Sequence, residues 1–195
     1  TMLEFYMAYA DYQDLIPLTE QLITFVAQEA LGTLKLTYQD HEIDLTPPWQ
    51  RLNYMEAIIK HNKLDLNWAP DPPQVRRLAQ RLKIEVKDQE LTGKLLDQVF
   101  STTVEPHLTG PVFIMDYPTD ISPLAKRKPD QPEFTERFEL YIAGREMANA
   151  FSELNDPLDQ RQRFEDQMKQ RKAGDAEGHP MDEDYLKALE YGMPP

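Results

Sequence analysis

The stretch from Phe134 to Asp156 constrains this chain most, because it alternates as a sheet does and keeps its charges to one side. Two strand-like runs, 135–143 and 146–155, meet at Gly144-Arg145. In the first run Arg137, Glu139 and Tyr141 share a face, while Phe138, Leu140 and Ile142 share the other. Glu146 lies just beyond the turn, near enough to return toward Glu139. Two carboxylates gathered on one sheet face suit a hard cation such as magnesium, which takes oxygen from one or two carboxylates and from substrate phosphates. Simple pairing with Arg137 and Arg145 is the alternative.

In the second run Asn149, Phe151 and Glu153 share a face, opposite the small residues Ala148, Ala150 and Ser152. Small residues let a helix pack close. An amide, a ring and a carboxylate can seat an aliphatic ammonium, the ring covering methylenes and the carboxylate pairing with the charge. A strand with a mixed solvent face would carry the same residues. Period two over 3–9 predicts a further strand, with Leu3, Phe5 and Met7 on one side and Glu4, Tyr6 and Ala8 on the other. It repeats the pairing of a carboxylate with a phenol.

Helical spacing over 14–31 predicts a helix with Asp14 as a possible N-cap and Gly32 just past its end. Short strands near 34–38 and 42–46 follow, turned at Gln39-Asp40-His41 and ended by Pro47-Pro48. Amphipathic helices are predicted at 54–61, 73–82 and 90–104, with Trp68-Ala-Pro-Asp-Pro-Pro between them, and they read as a helical insertion. The apolar run 111–117 predicts a buried strand. Asp156-Pro157 opens a charged helix over 157–172, Gly174–Pro180 reads as an exposed loop, and Asp182 caps a last helix over 182–191. Parallel crossovers do not dominate this order, so the expected class is α+β with a mainly antiparallel sheet.

No apolar run reaches the roughly 18 residues a spanning helix needs. The N-terminal residues show no signal for export. The chain has no cysteine, which excludes disulfides, thiol nucleophiles and Cys-ligated zinc. His41, His61, His107 and His179 are far apart in sequence and read as ordinary residues. A net charge of −13 argues against general nucleic-acid binding, and Lys126-Arg127-Lys128 reads as a solvated loop rather than an RNA patch.

These blocks resemble bacterial-type class II lysyl-tRNA synthetases. The resemblance rests on 1–12, on Ile121-Ser-Pro-Leu-Ala-Lys-Arg, on Arg137-Phe-Glu-Leu, on Gly144–Pro157 and on 181–195, and it thins across 34–108. It implies a class II sheet flanked by helices, divided as core start (1–53), helical insertion (54–108) and core remainder (109–195). It also implies activation of lysine with ATP to lysyl-adenylate and transfer to lysine tRNA, in a cytoplasmic homodimer. By position, Glu4, Tyr6, Asn149, Phe151 and Glu153 would bind lysine. Glu139 and Glu146 would hold magnesium, and with Asn149 they would contact ATP. No residue is expected as nucleophile or base. The anticodon-binding domain and the flanking ATP-binding arginines are not found in the sequence, so the chain alone is expected to be inactive. The alternatives are a non-catalytic lysine-binding module and a related ligase that lysylates elongation factor P.

Overall fold

Asp11 organises the first long element. In the computed structural model, which describes residues 1–64, 71–87, 90–172, 178 and 180–194, helix α1 (Tyr12–Leu31) begins with the Asp11 carboxylate accepting from the Gln13 and Asp14 amides. The Asp14 carboxylate accepts in turn from the Asp11 amide, so the two acids form a capping box. The N-cap is thus Asp11, and Asp14, the expected cap, is its partner within the first turn. Gly32 closes α1 at φ 69, a left-handed conformation that glycine adopts without strain.

Strands β1 (Lys35–Tyr38) and β2 (His41–Asp44) form the expected antiparallel hairpin. Its turn residues, Gln39 and Asp40, both have positive φ, as a tight two-residue hairpin turn requires. A second sheet has the order β3-β4-β5-β6, from β3 (Gln50–Asn53), β4 (Val112–Met115), β5 (Arg137–Ile142) and β6 (Arg145–Phe151). Among the described residues only the β3–β4 pair is parallel. The mainly antiparallel α+β class is therefore observed.

Between β3 and β4 run α2 (Tyr54–Asn62), α3 (Pro72–Arg81) and α4 (Thr92–Thr103). They share one apolar cluster with Val112, Ile114, Tyr117, Phe134 and Tyr141, and so cover one face of the sheet. Tyr12, Ile16 and Ala27 of α1 and Ile43 of the hairpin pack with Phe113, Phe138, Leu140 and Ile142 on the opposite face. Ala148 and Ala150 lie against this second cluster, as their size predicts, and the Tyr12 amide donates to Ser152 Oγ at 3.1 Å. Helices α5 (Pro157–Lys172) and α6 (Glu183–Tyr191) follow β6 and pack on each other.

Two expectations are corrected, and one strand is added that the sequence did not suggest. Residues 1–7 form no strand; Leu3 is 71% exposed and Phe5 47%. Alternation alone does not make a strand, because backbone groups need a partner row, and this stretch pairs with none among the described residues. The second turn is Ala143-Gly144, both at positive φ, and Arg145 belongs to β6. Strand β3 has no alternating pattern and exists through its pairing with β4. The connection at 65–70 and most of Gly174–Pro180 lie outside the described residues. No helix among the described residues is long and apolar enough to cross a membrane.

Candidate functional site

The face of β5 and β6 that carries the charges is the same face that α2 to α4 cover farther along the sheet. Register places Arg137 opposite Phe151, Glu139 opposite Asn149 and Tyr141 opposite Glu146. A bulge between Leu140 and Tyr141 makes this possible. Strict alternation would send Glu146 to the other side from Asn149 and Phe151; one extra residue in β6 restores them to one face.

Glu139 is buried at 7% exposure. Its Oε2 accepts from the phenols of Tyr117 at 2.7 Å and Tyr141 at 2.6 Å, and its Oε1 accepts from Arg137. The same guanidinium donates to Asn149 Oδ1 at 3.2 Å, Ser122 Oγ at 2.9 Å and the Ile121 carbonyl at 3.2 Å, and stacks 4.7 Å from the Tyr117 ring centre. Arg137 thus fixes Glu139 and Asn149 together. The pairing of Arg137 with Glu139, the alternative to a cation there, is present, whereas Arg145 lies over the Tyr38 ring. Burial, and then the charge of Glu139, raises the Glu146 carboxyl above its ordinary value, and Glu105 and Asp97 add to this negative field. Glu105 is itself raised, by burial first.

Glu139 and Glu146 fit magnesium by donor chemistry, because both offer hard oxygen on one face. No group of three or more acidic or histidine side chains suited to a metal occurs among the described residues. A cation held here would draw its remaining oxygens from phosphates and water, which is the usual arrangement for magnesium.

A second cluster lies around Glu153. This residue follows β6, bridges Ala125 and is half-buried. Its Oε1 accepts from the Tyr185 phenol at 3.2 Å. Tyr6 donates to Glu4 Oε1 at 3.2 Å, and its phenol is raised by that contact first and by Glu153 last. Tyr6 therefore lies within electrostatic reach of both Glu153 and Tyr185. An adjoining cleft of about 400 Å³ is lined by Tyr9, Asp11, Asp14, Lys126, Glu136 and Glu153.

Tyr117 and Tyr185 were not singled out from the sequence. Tyr141 shares a visible alternation with Glu139, but Tyr117 and Tyr185 reach their carboxylates only through the tertiary fold. The basic run is neither a free loop nor a patch: Lys128 pairs with buried Asp116 at 2.6 Å and Arg127 pairs with Asp159 at 3.2 Å. Asp116 also accepts from Tyr12 and Asn53, which ties α1 to the end of β3. His61 and His107, distant in sequence, meet with ring centres 4.5 Å apart, while His179 lies outside the described residues.

The sequence matches the family of class II tRNA synthetases (D, K and N) over residues 1–195, and the chain belongs to that family. Within it, the chain is similar to lysine–tRNA ligases. It is 58% identical to that of Moorella thermoacetica, 54% to that of a Thermoanaerobacter species and 49% to that of Bacillus subtilis, in each case across the whole chain. The chain spans about two fifths of the length of these relatives, at 40%, 39% and 39%.

Proposed function

We propose that this chain supplies the lysine pocket and the cation-holding carboxylates of a lysine–tRNA ligase. The observation that carries the reading is the shared face of β5 and β6, which sets Glu139, Glu146, Asn149 and Phe151 side by side and continues to Glu153. The reaction would activate lysine with ATP to lysyl-adenylate, release pyrophosphate and pass the lysyl group to lysine tRNA. Glu4 and Glu153 select a side chain ending in an ammonium. Phe151 covers its methylenes and Tyr6 holds Glu4. Carboxylates left without a counter-charge disfavour a neutral amino acid. Asn149, held by Arg137, contacts ATP together with Glu139 and Glu146. Magnesium bound by those two carboxylates would offset phosphate charge. Catalysis by these residues is then positioning and electrostatics, with no protein nucleophile.

The reading includes the division into core (1–53 and 109–195) and helical insertion (54–108), a homodimer as the working form and a cytoplasmic location. The relatives' shared name supports the ligase part of the reading. The test uses the full-length Moorella ligase carrying these 195 residues in place of its own matching stretch. Lysine-dependent ATP–pyrophosphate exchange is measured for this chimera and for its Glu153→Gln variant. The variant is expected to raise the KM for lysine at least tenfold, about 1.4 kcal/mol. An unchanged KM for lysine refutes the assignment.

A further inference from the structure

We propose that Tyr185, delivered by α6, is a positioning residue of the ammonium pocket: it holds one oxygen of Glu153 so that the other faces the ligand. This inference rests on the pocket assigned above and adds a residue from a separate element to it.

The placement of Tyr185 is over-determined. Asp182 caps α6 by accepting from the Tyr185 amide itself at 2.8 Å. Glu183, beside it, forms a two-pronged ion pair with Arg161 of α5, at 2.9 and 2.8 Å. Leu186, next to Tyr185, and Leu189, one turn beyond it, are buried and anchor α6. Phe164 meets the Tyr185 ring edge-on, with ring centres 6.1 Å apart. Four independent contacts thus aim one phenol. That phenol donates to Glu153 Oε1, and Glu153 Oε2 receives no hydrogen bond from the described residues.

The chemistry follows from this geometry. A carboxylate with one oxygen tied has one oxygen left for a ligand, in a fixed direction. Burial raises the Glu153 carboxyl and the Tyr185 hydrogen bond lowers it, so the phenol also helps keep Glu153 ionised. Burial, then the Glu153 charge, pushes the Tyr185 phenol up to about 12, so it stays a donor throughout the working range of pH. Tyr6 with Glu4 repeats the arrangement. The ammonium is met by two carboxylates, each steadied by its own phenol. A three-donor cation of defined reach fits such a site. A neutral terminus does not, because it leaves both carboxylates without a counter-charge.

The test uses the same chimeric ligase and ATP–pyrophosphate exchange. Tyr185→Phe removes only the hydroxyl. The KM for lysine should rise about tenfold, with the KM for ATP unchanged and kcat at saturating lysine held within about twofold, in keeping with loss of one hydrogen bond to a charged group. The acid limb of kcat/KM for lysine should move to higher pH, because Glu153 loses the donor that lowers it. A purely structural role would not move that limb. Tyr185→Gln, which retains a donor, should recover part of the loss and serves as the second variant if Tyr185→Phe folds poorly. Equal increases in the KM for lysine and for ATP, or an unmoved acid limb in both variants, overturn the inference. Glu153→Gln separates the two levels. If it raises the KM for lysine while both Tyr185 variants do not, only the role of Tyr185 fails. If it has no effect either, the pocket assignment fails.

Discussion

Replacing Gly93 by alanine should destabilise this chain, although alanine is the better helix former. Gly93 lies in the first turn of α4, whose N-cap, Leu91, offers no side-chain cap. The missing cap comes from elsewhere: the Gly93 amide donates to Asp120 Oδ2 at 2.9 Å. A Cβ on residue 93 would fall 1.9 Å from Asp120 Oδ1 and 2.7 Å from its Cγ, well inside contact. The carboxylate must retreat and give up the hydrogen bond. A hydrogen bond to a charged group is worth roughly 1.5–3 kcal/mol, and the helix propensity of alanine returns at most about 1. The net loss is then about 0.5–2 kcal/mol. For a chain of this size each kcal/mol shifts Tm by roughly 2–4 °C, so a fall of about 1–8 °C is expected by circular dichroism. A double-mutant cycle makes the reasoning refutable. In an Asp120→Ala background nothing blocks the new Cβ, and Gly93→Ala should become neutral or stabilising. An equal loss in both backgrounds would refute the argument.

Burial raises the Asp120 carboxyl above 3.8, outweighing the Gly93 amide that lowers it. A raised acid contributes its stability fully below that unfolded value and loses it as pH rises through the folded one. Asp120→Asn should therefore flatten part of the decline in Tm above about pH 4; a slope identical to the parent chain would contradict this. Arg137→Met leaves Glu139 buried without its counter-charge and should destabilise by roughly 3 kcal/mol in urea denaturation. A loss below about 1 kcal/mol would show that the two phenols suffice. The buried Tyr54 hydroxyl has no partner among the described residues, so Tyr54→Phe should be neutral or stabilise by about 1 kcal/mol in thermal melts. A comparable loss would reveal a hidden partner.

What the sequence showed was what local spacing controls. Caps and period three to four marked the helices; period two marked β5 and β6 and grouped Glu139 with Tyr141. Asp14 and Asp11 could not be told apart as caps, because a capping box uses both. Strand β3 was invisible, since Gln50-Arg51-Leu52-Asn53 owes its conformation to β4, far along the chain. The converse error was 3–9, where alternation is clear and a pairing strand is not among the described residues. The site divides the same way. Its carboxylates stand out in the sequence, but Tyr117, Tyr185 and the double role of Arg137 arise only from packing.

The bulge in β6 has a consequence for how such a chain can change. It works as a parity switch: residues before and after it obey opposite odd–even rules, yet face one way. Inserting one residue between Leu140 and Tyr141 of β5 would give Met147 a partner and restore a regular ladder. It would also deal Glu146 and the pair Asn149–Phe151 to opposite surfaces. Point substitutions here trade one side chain for another, whereas a single-residue insertion opposite the bulge would take the site apart while leaving its parts intact.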